Sequence, residues 1–272
     1  MQYLCLTVMI PLISLGQMYQ INPHSDLIGE TYHLEISSNI RLENLAKKQK
    51  VGFRELKIAN PNIQSIVRKG DTVVIPAMYV LPPEPFRSGI VINTAEPRLY
   101  YFSPNGDFVF TTPIAVGRSG WRTPLFSGTI INKKPRPSWT PPSSIKDHYL
   151  KKYNKVLPDV IPPGPDNPLG NYALYTSEPR ILIHGTNNEY SIGKYASSGC
   201  IRLYNQDIQT LFRLIDAHTP VTIVHIPIKV GYHQGNQYIE AHPEILNANH
   251  DSPFNIHIKT FDVTPNGIPT MY

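Results

Sequence analysis

The residues of this chain best suited to covalent chemistry are His184, which closes the apolar run Ile181-Leu182-Ile183, and Cys200, sixteen positions later in Ser197-Ser198-Gly199-Cys200-Ile201-Arg202. A cysteine attacks carbonyl carbon as its thiolate, and a neighbouring imidazole together with backbone N–H groups aimed at the sulfur makes that form accessible. The pair supplies a base and a nucleophile for acyl transfer. Ser198, Gly199 and Cys200 offer three consecutive amides to a developing oxyanion, each such donor typically lowering the barrier by about 3 kcal/mol. Gly199 lets the turn be tight. The backbone carbonyl of Gly185 can orient the His184 ring where no Asp or Asn follows. On spacing alone, a buried thiol beside a core histidine fits equally well. The order His before Cys excludes a papain-like arrangement, and the short separation excludes a caspase-like one. Neither Cys-x-x-Cys nor paired-His helical spacing accompanies Cys200, His218 or His225, so no zinc site and no cofactor is expected.

These residues need elements to hold them. Strands over 172–175 and 180–183 bring His184 to a strand end. After the cysteine turn, Asn205 is placed to cap a helix whose Ile208, Leu211, Phe212 and Ile215 fall at i, i+3, i+4 and i+7, one apolar face for a sheet. That helix ends at Thr219-Pro220, ahead of a core strand over 221–224. Upstream, 89–93 and 99–102 read as strands, and Ser103-Pro104-Asn105-Gly106-Asp107 turns the chain into a strand over 108–110 that 111–116 extends. Their alternation predicts a half-buried antiparallel sheet. Residues 117–170, rich in Gly, Pro and aromatics, read as a long irregular arm beside the site, packed down by Trp121 and Trp139.

The 27 prolines and 16 tyrosines are those of a β-rich protein rather than a helical bundle, and 272 residues suit two domains. Residues 1–16 carry no charge and include Leu4, Leu6, Val8, Ile10, Leu12, Ile13 and Leu15. That run is too short to span a bilayer and right for a signal-peptide core, although no Lys or Arg precedes it, so 1–18 are read as a leader and the protein as exported. Its removal leaves Cys200 as the sole thiol, which cannot staple the fold through an intramolecular disulfide. No second apolar stretch reaches spanning length, so the mature protein is expected to have no transmembrane segment. The formal charge of +5 is uneven: residues 31–80 hold eight basic side chains against four acidic ones, and Lys133, Lys134, Arg136, Lys146, Lys151, Lys152 and Lys155 form a second cluster. Such clusters suit an anionic polymer or a solvated face. Export, and the lack of zinc-finger or RNA-binding signatures, argue against nucleic acid.

Residues 30–78 form a unit of their own. Ser37-Ser38-Asn39 offers cap oxygens ahead of Leu42, Leu45 and Ala46 on one helical face, which Val51-Gly52 breaks. A second short helix uses Phe53, Leu56 and Ala59 and stops at Asn60-Pro61. Strands over 32–36 and 73–75 complete a βααβ order. This order, with Asn60-Pro61-Asn62-Ile63 and Gly70-Asp71-Thr72-Val73-Val74-Ile75-Pro76, resembles the LysM module, whose family binds the glycan of peptidoglycan or chitin; Ser37-Ser38-Asn39 stands where that family usually has Gly-Asp-Thr. Pro82, Pro83 and Pro85 make 79–88 a stiff linker to a second domain over 89–226, leaving 227–272 as a C-terminal extension.

In that second domain His184-Gly185-Thr186, Ser191-Ile192-Gly193 and Ser197 to Arg202 follow in order, preceded by Pro163-Gly164-Pro165-Asp166-Asn167-Pro168-Leu169-Gly170. Together they resemble the L,D-transpeptidase (YkuD-like) family. The resemblance implies a mainly β (α+β) sandwich with one main helix after the cysteine turn, and a periplasmic cysteine acyltransferase acting on peptidoglycan. Cys200 would attack the L-centre carbonyl of a tetrapeptide stem, expel D-alanine, and pass the thioester to an amine of another stem or to a lysine of an envelope protein. His184 would move the proton, Gly185 orient it, and the Ser198, Gly199 and Cys200 amides hold the oxyanion. Arg202, Ser197 and Thr186 would meet substrate, and the thiol would be a target for carbapenems. Ser198 stands where many members have His. The rival readings are hydrolysis of the thioester and a wall-binding protein with a vestigial site.

Overall fold

The computed structural model describes residues 17–242 and the backbone of Lys259–Phe261. The expected leader, apart from Gln17 and Met18, lies outside the described residues. The first third runs β1 (Gln17–Gln20), β2 (Leu27–Ile28), β3 (Thr31–Glu35), β4 (Ile40–Arg41), α1 (Leu42–Gln49), α2 (Phe53–Ala59), β5 (Ile66–Val67), β6 (Thr72–Pro76) and β7 (Tyr79–Val80). β3 pairs with β6 and β4 with β5, and Leu42, Leu45, Leu56, Val67, Val73 and Ile75 meet in a core of their own. The βααβ order is the expected one. The start of α1 is not: it opens at Leu42 with no side-chain cap, because Ile40 and Arg41 are extended in β4, and Asn39 Oδ1 instead accepts from the Lys69 amide at 2.9 Å.

The remainder runs β8 (Gly89–Asn93), β9 (Arg98–Phe102), β10 (Phe108–Pro113), β11 (Val116–Gly117), β12 (Phe126–Pro135), α3 (Ser143–Tyr153), β13 (Tyr172–Thr176), β14 (Leu182–His184), β15 (Tyr195–Ser197), β16 (Ile201–Arg202), α4 (Asn205–Leu214), β17 (Pro220–Val224), β18 (Ile228–His233), β19 (Asn236–Ala241) and β20 (Lys259–Phe261). Nine strands follow the order β1-β10-β9-β8-β17-β12-β13-β14-β16. β12 joins two halves: its beginning pairs with β17, and past a register shift after Ile130 its end pairs with β13. Inward side chains of both halves then meet in one core, Ile90, Ile92, Leu99 and Phe110 from one and Leu174, Ile183 and Ile201 from the other, with Ile208 and Leu211 of α4.

Three expectations need correction. β8, β9 and β10 pair antiparallel as expected, within a mixed sheet in which β8 with β17 and β14 with β16 run parallel, but β8 and β9 are not half-buried: they are covered on both faces, because Ile28, Tyr79 and Leu81 pack on Val91, Tyr100 and Phe102. Residues 79–88 are therefore no free spacer: β7 pairs with β2, the Leu81 amide donates to the Asp26 carbonyl at 2.8 Å, and Arg87 pairs with the Asp26 carboxylate at 2.6 Å. The arm over 117–170 contains the ten-residue strand β12 and the eleven-residue helix α3; α3 buries none of its residues and so shows no apolar stripe to read. The C-terminal extension begins as a hairpin, β18 with β19, docked on the core.

Ion pairs tie these pieces together. Glu55 of α2 pairs with Arg98 at 2.9 Å, and the fully buried Arg98 guanidinium also donates to Tyr79 Oη at 2.7 Å. Lys50 reaches the buried Asp207 of α4 at 2.7 Å, and Lys47 pairs with Glu189. Part of the basic excess over 31–80 is thus neutralised within the chain. At Gly193 (φ +75°) a Cβ would lie 2.3 Å from the Phe53 nitrogen, so glycine lets the chain before β15 touch the start of α2 backbone to backbone. Beneath the hairpin, Lys229 Nζ pairs with Glu96 at 2.5 Å and Glu240 at 3.0 Å and donates to the Val80 carbonyl and Tyr100 Oη, all out of water. His242 closes the cluster against both carboxylates. Burial opposes charge on Glu96, but Lys229 and His242 hold its carboxyl well below the usual range. Burial likewise opposes the His242 charge, and Glu240 and Glu96 still raise it to about 9. Lys229→Met, leaving two buried carboxylates without their ammonium, is expected to lower unfolding free energy by roughly 3–5 kcal/mol in urea titration; a loss below about 1 kcal/mol would show the cluster to be solvated.

Candidate active site

The site is built where β14 and β16 run side by side in parallel. Ile183 faces Ile201 and His184 faces Arg202. Because side chains alternate along a strand, Ile183 and Ile201 enter the core while Leu182, His184 and Arg202 share the opposite face. Cys200 lies in the turn immediately before β16, next to Ile201, whose partner Ile183 precedes His184. The register sets the cysteine turn beside the end of β14 that carries His184.

His184 is buried, and its Nδ1 donates to the Gly185 carbonyl at 2.6 Å. A carbonyl can only accept, so Nδ1 carries the hydrogen and the neutral ring keeps its lone pair on Nε2. Burial, with the Arg202 charge adding to it, pushes the imidazolium down to about 3 against the pull of the Gly185 and Leu169 carbonyls. Burial also pushes the Cys200 thiol up, against the Leu182 amide and the Arg202 charge, which favour the thiolate. The thiol lies 3.6 Å from the Arg180 carbonyl, a possible acceptor. At neutral pH the resting pair is thus a neutral thiol and a neutral imidazole.

The cysteine turn is held from beneath. Ser197 Oγ, 1% exposed, donates to the Cys200 carbonyl at 2.5 Å and accepts from the Gly199 amide at 3.1 Å. Ser197 therefore shapes the turn and does not face substrate. The Gly199 amide is occupied, so of the three amides expected at an oxyanion only those of Ser198 and Cys200 have no acceptor among the described residues. Gly199 has φ +111° with no atom within 3.4 Å of a Cβ; its need for glycine is backbone conformation and not lack of space. Thr123 Oγ1 accepts from the Gly117 amide and donates to the Gly199 carbonyl at 2.8 Å, tying the turn to β11.

The His184 loop has its own brace. Thr186 is 1% exposed with its hydroxyl accepting from the Asn188 amide at 3.0 Å, which makes it a loop former rather than a substrate contact. Asn205 is not the cap of α4 but its first residue: its Oδ1 accepts from the Asn171 amide at 3.1 Å and its Nδ2 donates to the Thr186 carbonyl at 2.8 Å. Asn167, fully buried, donates to the Pro137, Ile161 and Pro162 carbonyls and accepts from the Leu169 amide, fixing the proline-rich wall. Trp121 packs edge-on against His148 of α3 at 5.7 Å. Thr123, the Leu182 amide and Arg118, whose Nη1 donates to Ser198 Oγ at 3.1 Å, belong to the site without any signal in the sequence pattern.

Residues 87–223 match the YkuD family, described as the L,D-transpeptidase catalytic domain. The chain is 40% identical over 236 residues to the probable L,D-transpeptidase YcfS of Escherichia coli (strain K12), covering 84% of this chain and 73% of that protein. It is 38% identical over 223 residues to the probable L,D-transpeptidase YbiS of the same strain, covering 80% and 72%, and 30% identical to the putative L,D-transpeptidase YkuD of Bacillus licheniformis over 76% and 98%. The chain belongs to the L,D-transpeptidase family. As an L,D-transpeptidase it is an acyltransferase, and the β14–β16 ledge lies within the matched catalytic domain. In this L,D-transpeptidase, Ser197→Ala removes the buried hydroxyl that joins both ends of the cysteine turn and leaves the Gly199 amide without its acceptor, which is expected to lower unfolding free energy by about 1–3 kcal/mol in urea titration. An unchanged stability would mean that the backbone alone shapes the turn.

Proposed function

We propose that the protein is an exported, periplasmic peptidoglycan L,D-transpeptidase in which Cys200 is the nucleophile and His184 the base. The observation that carries this reading is the β14–β16 register, with His184 ending one strand and Cys200 directly preceding its parallel neighbour, and with His184 Nδ1 committed to the Gly185 carbonyl so that Nε2 is left to take a proton. As the thiol attacks the L-centre carbonyl of a tetrapeptide stem, its proton passes to Nε2 and an Sγ–C bond forms. The Ser198 and Cys200 amides stabilise the oxyanion. Collapse breaks the C–N bond, and the imidazolium returns its proton to the departing D-alanine amine. An acceptor amine, from a second stem or an envelope-protein lysine, then attacks the thioester, gives its proton to His184, and releases the thiol, making a 3-3 cross-link or a protein tether.

Export rests on the uncharged apolar residues 1–16. Among the described residues no helix is long and apolar enough to cross a membrane. The N-terminal unit is read as a LysM-like module that engages glycan: Asn39, Lys57, Gln64, Ser65, Ile66 and Arg68 line an open, basic groove on it. Incubation with a tetrapeptide muropeptide should give a mass adduct on Cys200 and free D-alanine, with cross-linked dimer when acceptor stem is present and tripeptide if water takes the acyl group. Cys200→Ala should lower D-alanine release at least about 10³-fold. Retained release in that variant, or absence of any adduct on the wild type, would overturn the mechanism.

A further inference from the structure

Two guanidinium groups converge beside Cys200, and among the described residues no carboxylate pairs with either. Arg202 follows the nucleophile by two residues, and its backbone bonds in both directions to Ala115, at 2.9 and 3.0 Å. Three positions past Ala115, Arg118 comes off β11, its amide bonded to the Ser197 carbonyl at 3.1 Å. Its side chain is built into place. Nη1 donates to Ser198 Oγ at 3.1 Å and to the Ser197 carbonyl at 3.3 Å, Nη2 lies 3.4 Å from His148 Nε2, and the group sits 5.4 Å over the Trp121 ring. None of these partners is a carboxylate. α3 roofs both arginines, His148 against Arg118 and Tyr149 close enough to Arg202 to act on its charge.

The energetic position is unusual. Elsewhere this chain compensates its buried cations closely: Arg98 with Glu55, Lys50 with Asp207, Lys229 with Glu96 and Glu240. At the cysteine, burial lowers Arg202, and the neighbouring Arg118 charge lowers it further. Two like charges held together in a partly dry wall disfavour the unliganded state, and a bound anion relieves both their desolvation and their mutual repulsion. The planar fork of each suits a carboxylate.

We propose that Arg118, held by Ser198, is a specificity-determining residue that works with Arg202 as a carboxylate clamp, binding the free C-terminal carboxylate of the residue expelled from the donor peptide. The clamp ties the cleaved bond to the chain end: a donor ending one residue beyond the attacked carbonyl is drawn in, and one whose end is amidated is not. Ser198 then acts by orienting Arg118 and does not contact the reacting atoms through its side chain. This inference rests on the acyl-transfer reading above.

The test compares tetrapeptide donors with a free or an amidated C-terminus, measuring kcat/KM for loss of the terminal residue in the full chain, with Cys200 alkylation by iodoacetamide and thermal melting as controls for thiol competence and folding. Wild type should prefer the free carboxylate by roughly 10- to 100-fold, the range of a charge-assisted hydrogen-bonded pair. Arg118→Gln should bring that ratio close to one, and Arg118→Lys, which keeps charge but not the fork, should restore part of it. A ratio that stays at the wild-type value in Arg118→Gln, or a wild type indifferent to amidation, overturns the clamp and leaves acyl transfer standing. A wild type that neither releases the terminal residue nor forms an adduct on Cys200 overturns the acyl-transfer reading itself.

Discussion

The chemistry of this protein depends on one register: β14 against β16, parallel, with His184 opposite Arg202 and Ile183 opposite Ile201. Slipping that pairing by one residue would send His184 into the core and Ile183 to the site, since side chains alternate with period two. The core enforces the register from one side, because Ile183 and Ile201 are both fully buried among Leu174, Ile208 and Leu211. The loops enforce it from the other: Asn205 clamps the chain after His184, and Ser197 and Thr123 clamp the turn before and around Cys200.

Charge is handled in two opposite ways. Far from the cysteine, buried ions are matched at short range, so Lys229 with its two carboxylates joins hairpin to sheet and Arg98 with Glu55 joins module to sheet. A buried pair of this kind contributes more to specifying one arrangement than to net stability, since desolvation consumes much of the attraction. At the cysteine the arrangement is reversed. Thiol and imidazole are neutral at rest, and among the described residues the charge that acts on both is the positive one of Arg202, with Arg118 acting on Arg202 in turn. Negative charge there comes with a substrate or a developing oxyanion.

Much of this was legible in the sequence, and the failures have physical causes. The Gly185 carbonyl as the partner of His184, and the strands on either side of it, could be read because local order places them next to one another in the chain. The βααβ unit was readable from Asn60-Pro61 and the turn at Gly70-Asp71, where local backbone rules dominate. β12 was hidden because its long strand, Phe126–Pro135, is only partly buried and carries Gly128 and two lysines, so neither alternation nor an apolar run marks it. Ser197 and Thr186 fall inside the family pattern yet point inward, which spacing along a chain does not reveal. Arg118 and Lys229 act through contacts 80 and 149 residues away in sequence, and a single chain gives no sign of such pairs.

In the proposed mechanism His184 and Cys200 rest as a neutral pair and proton transfer accompanies attack. The pH dependence of Cys200 alkylation by iodoacetamide tests it most directly. Burial raises the thiol above its usual value near 9 and lowers His184 to about 3, so thiolate is scarce below pH 8 and the alkylation rate should climb steadily through pH 9 with no shoulder in the acid range. A plateau between about pH 5 and 8 would mean a standing thiolate–imidazolium pair and would contradict the claim.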